Sequence, residues 1–331
     1  MVATEATPLF LAGDDIAEYL EPERCIEATI DAFEDRGRGG DAAPRLSLRR
    51  DDPVGKLDSY FALLPREGVM GGYVYAAGFT SGGPWFLTPL FDAESGKPLA
   101  LIDGAAMNPP KTAAAGAVGI DALAREDANT LAIFGSGGQA AAQLRAAAHV
   151  RDLDAVRVYS PTPENRATFA SEFDEALDAA VEAVESPAAA LDAADIVITA
   201  TRSPDPVFDG ALLEPGTHVT AMGQYSPYSR ELDSETIARS RYVPDLRARA
   251  FQDAGSFLAA KDAGVVTDAH VHAEIGEVIA GKVPGRTDSE QITVFDSGGT
   301  GIETVAVANM LYQRAEEAGA GQRLSFEPLS Y

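Results

Sequence analysis

Gly135-Ser136-Gly137-Gly138-Gln139-Ala140 follows the short apolar run Thr130–Phe134 and leads straight into an alanine-rich stretch reaching Val150. The pattern reads strand, G-x-G-x-x-A, helix. The first glycine permits a tight turn, the second lets the backbone approach a pyrophosphate, and small Ala140 lets helix and sheet pack closely. A diphosphate there would meet the unpaired N–H groups at the positive end of the helix. Gly135 and Gly137 are therefore candidate contacts for a dinucleotide. Other constellations carry less. His270-Val271-His272, with Asp268 and Glu274, has no third histidine or cysteine nearby to complete a tetrahedral site, so no metal is expected. G-x-S-x-G is absent around every serine, and the single Cys25 lies in a helical pattern as a small hydrophobe.

The elements needed to position the glycine turn surround it. Thr130–Phe134, Ala155–Ser160, Ile196–Thr201, His218–Met222 and Tyr242–Pro244 are short apolar or β-branched runs separated by helical or turn-like segments. That rhythm predicts a doubly wound parallel sheet of Rossmann type. Upstream, Pro22 opens a helix through Cys25, Ile26, Ile30 and Phe33, and residues 36–43 read as a loop. Strands are expected at Ser59–Leu64, Gly72–Phe79, Pro84–Phe91 and Leu99–Asp103. A small-residue helix from Pro110 to Arg125 leads into the glycine motif, and Ile302–Ala318 forms a closing helix that returns to the first domain. The fold class is α/β: a Rossmann-type domain over 113–303, and a discontinuous α+β domain over 1–112 with 304–331.

The 331 residues carry 51 acidic and 26 basic side chains, a net charge of −25, and only five of the basic residues are lysine. The acids are spread along the whole chain. Such a surface repels nucleic acid and anionic membranes, and at low salt it repels itself. At about 1 M salt the screening length shrinks to about 3 Å, which removes most of that cost. The composition predicts a halophilic, cytoplasmic protein. No apolar run approaches the roughly 20 residues of a membrane span, and the acidic flanks of Met1–Leu20 argue against a secretory signal.

Several segments together resemble the ornithine cyclodeaminase/mu-crystallin family. They are Leu90-Phe-Asp92 with Ser95-Gly-Lys-Pro-Leu-Ala-Leu-Ile-Asp103, Lys111-Thr-Ala-Ala-Ala115, the glycine motif, Thr199-Ala-Thr201 with Pro206-Val207, and Arg230-Glu-Leu-Asp233. Glu274-Ile-Gly-Glu277 with Gly281-Lys282, and Thr293-Val-Phe-Asp-Ser297 with Gly299, complete the series in family order. The resemblance implies a homodimer whose first domain supplies the dimer interface and substrate site, and an NAD(P)-binding second domain. Carried over residue by residue, it implies a diphosphate cradle of Gly135, Gly137, Gly138 and Gln139 and further cofactor contacts from Thr112, Ser160, Thr162, Thr201, Met222, Gly223, Ser297 and Gly299. Arg45, in Ala43-Pro-Arg-Leu46, would grip the carboxylate of a small amino or imino acid, where a planar guanidinium offers two parallel N–H···O bonds. Lys111 would hold the same carboxylate with its charge but without the fork.

The chain departs from the family pattern at two positions. A family lysine aligns with Tyr73, or with Val74 if the register shifts by one, and the aspartate after the fifth strand gives way to Tyr225 in Met222-Gly-Gln-Tyr-Ser-Pro227. Cyclodeamination needs an acid/base that tyrosine, with a pKa of about 10, supplies poorly near neutrality. This argues against true ornithine cyclodeaminase activity. Tyr73, Tyr75 and Tyr225 suit proton donation in imine reduction, so the expected activity is that of an amino-acid dehydrogenase or ketimine reductase. A non-catalytic NAD(P)-binding protein is the alternative. No acid ends the second strand, at Tyr159-Ser160-Pro161-Thr162, to bind ribose hydroxyls, and Arg166 is the nearby cation. The expectation therefore favours NADP over NAD.

Overall fold

The computed structural model describes residues 6–52, 54–79 and 83–327. Contacts divide the chain into two compact units, Met1–Lys111 with Thr300–Tyr331, and Thr112–Gly299. Thr112 thus falls with the first domain in the sequence reading but with the second unit in the structure. Residues 300–303 move the opposite way.

The first unit holds β1 (Leu9–Leu11), β2 (Asp41–Ala42), β3 (Leu46–Asp51), β4 (Val54–Leu64), β5 (Val69–Ala77), β6 (Trp85–Asp92) and β7 (Pro98–Asp103). The second unit contributes β8 (Thr130–Phe134), β9 (Ala155–Tyr159), β10 (Ala180–Ala183), β11 (Ile196–Thr199), β12 (His218–Ala221), β13 (Ser240–Pro244) and β14 (Ile292–Asp296), and β15 (Gln322–Arg323) returns to the first.

In the first unit the mixed sheet runs β15-β1-β7-β6-β5-β4-β2, with β3 also paired to β4. β4 alternates: Asp58, Tyr60, Ala62 and Leu64 are buried, whereas Leu57, Phe61 and Leu63 are exposed. Register carries this division across the sheet. Tyr60 pairs with Tyr73 and Asp58 with Tyr75, so the polar and aromatic side chains share the covered face. Leu48 pairs with Leu57, and Trp85 and Leu87 oppose Ala76 and Val74, so an apolar set shares the other face. The helix Pro22–Arg38 starts with proline in its first turn and ends at Gly39; it takes residues the sequence reading left to a loop.

The second unit is a seven-stranded parallel sheet in the order β10-β9-β8-β11-β12-β14-β13. Consecutive residues of β8 point to opposite faces. Leu131 and Ile133 join a core with Leu144, Val156, Phe173 and Ile198, while Ala132 and Phe134 join one with Val197, Val219, Ile237 and Phe257. Two covered faces explain why these strands read as continuous apolar runs. The run β14 lies inside the sheet between β12 and β13, although the sequence reading treated it only as part of a motif. The helix Gly104–Leu123 begins ahead of Pro109 and Pro110, not at Pro110. Those prolines cannot donate to the carbonyls one turn earlier, a loss the helix absorbs near its start.

Candidate functional site

In the second unit the glycine turn lies at the carboxyl end of β8, where strand order reverses between β9 and β11. Gly135 adopts φ of 118°, and a methyl group there would lie 2.5 Å from the Ala200 carbonyl oxygen. Gly137 and Gly138 meet nothing within 4 Å at the same test, so a ligand can approach their backbone. Gly137 caps a 13-residue helix, Gly138–Val150, with no side chain on its first N–H groups, and the buried Oε1 of Gln139 has no partner. Open backbone, a helix amino end and an unpaired polar atom together fit a dinucleotide diphosphate. Gln143 reaches from the same helix to the Thr112 carbonyl at 3.0 Å.

At the end of β9, Ser136 donates to the buried Ser160 hydroxyl at 2.9 Å, and Arg166 folds back onto the Ser160 carbonyl at 2.9 Å. The Arg166 guanidinium lies 5.9 Å from the centre of the Tyr159 ring. Thr162 is exposed at the start of the helix Pro163–Ala176.

Beyond β11 and β12, the Thr201 N–H donates to Glu231 at 2.6 Å and the Gly223 N–H at 2.8 Å, while Met222 is buried. Ser297 points inward, its hydroxyl donating to Asp245 at 2.9 Å, with the Gly298 N–H on the same carboxylate oxygen at 3.1 Å. Asp245 in turn pairs with buried Arg249 at 2.7 Å, and Arg249 also meets Asp296 at 2.7 Å and Asp253 at 3.4 Å. Burial opposes the guanidinium charge, but the three carboxylates outweigh it and hold its pKa well above the usual arginine value. This network fixes the turn that leads to Gly299, which has φ of 85°. Tyr225 is 40% exposed and its Cβ borders Gly298. His270 and His272 pair with the carbonyls of Ile237 and Pro284.

In the first unit the covered sheet face gathers Tyr60, Tyr73, Tyr75 and Phe86, with ring centres 5.0–6.3 Å apart. The buried Arg45 guanidinium lies 5.3 Å from the Tyr60 ring centre. Lys111 is 1% exposed; its Nζ donates to Glu303 at 3.2 Å and to the Tyr60 hydroxyl at 3.3 Å, and lies 4.9 Å from the Tyr73 ring centre. Burial opposes the ammonium, yet Tyr60 and Glu303 prevail and raise its pKa. Tyr73 donates to the Gly104 carbonyl at 3.1 Å, and burial, with Tyr60 and Glu303 beside it, holds its phenol well above the ordinary value. Tyr75 donates to Asp58 at 2.7 Å, which also pairs with Lys56 at 2.7 Å. The structure thus brings Arg45, Lys111 and Tyr73 together; Tyr225 belongs to the second unit.

The model of the ornithine cyclodeaminase/mu-crystallin family matches residues 85–319. The chain belongs to this family. Among its relatives, the Delta(1)-pyrroline-2-carboxylate reductase of Bacillus cereus is 35% identical over 238 residues, 72% of this chain and 73% of that protein. The iminosuccinate reductase of Paracoccus denitrificans is 31% identical over 96% of this chain and 99% of its own length. The structure of Thermococcus litoralis Delta(1)-pyrroline-2-carboxylate reductase in complex with NADH and L-proline superposes with a TM-score of 0.89. It is 30% identical and covers 96% of this chain and 100% of that one. With these relatives, this family member is an oxidoreductase.

Sequence reasoning missed Tyr60, Asp58, Glu303, Glu231 and the Asp245–Arg249–Asp296 network. Glu303 left a readable trace: Thr300-Gly-Ile-Glu303 has the spacing of a capping box, and Glu303 does accept the Thr300 N–H at 2.6 Å. The same carboxylate meets Lys111, 192 positions away, which no local pattern announces. Glu231 stood inside a motif that was noted but given no role.

Proposed function

We propose that this protein transfers hydride between a nicotinamide dinucleotide and a small α-amino or imino acid. The observation that carries this reading is the open glycine turn at the head of a long helix, in a chain whose relatives include imino-acid reductases and an alanine dehydrogenase. The bound dinucleotide supplies the hydride; everything else falls to the protein. Gly135, Gly137, Gly138 and Gln139 hold the diphosphate, Thr112 adjoins it, and Ser160, Thr162 and Arg166 face the adenosine ribose. Thr201, Met222, Gly223, Ser297 and Gly299 line the nicotinamide side.

Arg45 grips the substrate carboxylate through two parallel hydrogen bonds. Lys111 was expected to share that task, but it is engaged by Glu303 and Tyr60. Its role in this reading is to hold a positive charge behind the substrate and orient the Tyr60 hydroxyl. In imine reduction the hydride adds to the imine carbon and a proton goes to the nitrogen. Tyr73, Tyr75 and Tyr225 are the proton donors suggested by the sequence. Within the first unit, Tyr60, with the Lys111 ammonium behind it, is a further phenol beside Tyr73.

The absence of a carboxylate at the end of β9, together with Arg166 there, favours NADP over NAD. The apolar outer face of the first unit supports a homodimer: Leu46, Leu48, Trp85 and Leu87 are each more than half exposed. A groove of about 490 Å³ lined in part by Phe61, Leu63, Met70 and Phe91 adjoins it. The acidic surface supports residence in a salt-rich cytoplasm, and among the described residues no helix is long and apolar enough to cross a membrane.

Absorbance of the reduced nicotinamide, followed in molar salt with each cofactor, tests the reading. Cyclic imino acids, 2-oxo acids with ammonium or methylamine, and amino acids with the oxidised cofactor form the panel. Turnover with at least one is expected; silence from protein that binds cofactor would refute it.

A further inference from the structure

Glu231 is a buried carboxylate of the second unit that the proposed chemistry does not use. It is 2% exposed. Its Oε1 accepts the Thr201 N–H at 2.6 Å, and its Oε2 accepts the Gly223 N–H at 2.8 Å and the Thr199 hydroxyl at 3.0 Å. One side chain therefore ties the carboxyl ends of two adjacent parallel strands, β11 and β12. Its own backbone is braced as well: the Val207 N–H donates to the Glu231 carbonyl at 2.9 Å, and the Leu232 N–H donates to Ser256 at 3.2 Å. The close approach depends on glycine at 223, where a Cβ would lie 2.4 Å from Glu231 Oε1 and 2.4 Å from the Thr201 carbonyl oxygen.

Strand ends can be joined more cheaply than this. Burying a carboxylate costs free energy that apolar packing of the same ends would not. Burial drives the Glu231 pKa up, and the three donors only partly offset it. What the carboxylate provides is geometric: two acceptor oxygens spaced to fix two turns at once.

We propose that Glu231 is a positioning residue for the nicotinamide half of the cofactor site, shaping the turns at Thr201 and Met222–Gly223 without touching the diphosphate cradle. This rests on the reading that those turns face the nicotinamide. Glu231→Gln keeps the volume, but its amide nitrogen must confront at least one N–H or O–H donor, so one turn shifts.

The experiment compares binding of two ligands by calorimetry. One is the reduced dinucleotide that wild type prefers; the other is ADP-ribose or its 2′-phosphate, which lacks the nicotinamide. In Glu231→Gln the dinucleotide affinity should fall about tenfold, as for loss of a charge-assisted hydrogen bond, while ADP-ribose affinity stays within about twofold. The melting temperature should fall modestly, because one buried N–H loses its acceptor. Equal losses for both ligands, or no loss for either, would overturn the proposal. Should that variant not fold, Thr199→Val, which deletes one donor and keeps the shape, must show the same selectivity or the proposal fails. Wild-type protein that binds neither ligand would instead refute the dinucleotide reading beneath it.

Discussion

Arg45 and Lys111 carry like charges on one sheet face but different burdens. Lys111 is sealed with Glu303, so Lys111→Ala should strand a buried carboxylate and cost about 3–5 kcal/mol, read from chemical unfolding. A loss below about 1 kcal/mol would mean the pair is solvated. Arg45→Ala should leave cofactor affinity intact while abolishing protection by substrate; if it alters neither, Arg45 is not the carboxylate clamp. Side chains of this kind were only partly legible in the sequence. The strand–glycine turn–helix could be read because its parts are immediate neighbours in sequence. Tyr60 could not, because alternation along β4 says that it faces inward but not that Lys111 will meet it from 51 positions away.

At the scale of elements, Gly135 and Gly137 separate folding from binding. Gly135→Ala forces a side chain into a left-handed conformation against the Ala200 carbonyl and should destabilise the domain by more than about 1–2 kcal/mol. Gly137→Ala has extended backbone and open space, so stability should hold within about 0.5 kcal/mol. Cofactor affinity should nonetheless fall about tenfold or more, because the methyl occupies the path of the diphosphate. Thermal melts and cofactor titrations check both; unchanged affinity in Gly137→Ala would contradict the cradle.

β12 adds a pH dependence. His218 is fully buried between the Thr293 and Thr220 hydroxyls, at 2.9 and 2.8 Å, and burial, helped by Arg286 and Arg151, lowers its pKa well below the ordinary 6.5. The unfolded chain binds this proton more readily than the folded one. The stability from His218 is therefore complete above about pH 6.5 and is lost as pH falls from there toward the folded value. Melting temperature should drop between pH 7 and 5, and His218→Gln should show a shallower drop; parallel curves would remove His218 as the cause. The strand rhythm around β12 was legible because parallel strands bury both faces. β14 escaped notice because the crossover from β13 is broken into short helices, the last of them Ile275–Ile279, and ends in a loop, and its interior place is set by pairing with β12 and β13.

Over the whole molecule, a charge of −25 and an exposed apolar face pull in opposite directions. Salt screens the first, from about 10 Å at 0.1 M to about 3 Å at 1 M, and leaves the second intact. Light scattering should find a dimer in molar salt, and Leu48→Asp with Leu87→Asp should yield monomers; a wild-type monomer would refute the interface. The two-unit division was readable in outline, since the closing helix was expected to rejoin the first domain. Its edges at Lys111 and Thr300 depend on contacts that sequence spacing does not encode.

Hydride transfer to or from a small amino or imino acid is reported directly by deuterium. The reduced cofactor, labelled at nicotinamide C4 on the transferred face, would be incubated with the best imine of the panel and the product weighed by mass spectrometry. Deuterium is expected on the product α-carbon, and is expected to be absent with Arg45→Ala at the same substrate concentration. An unlabelled product, or no product from protein saturated with both ligands, would contradict hydride transfer.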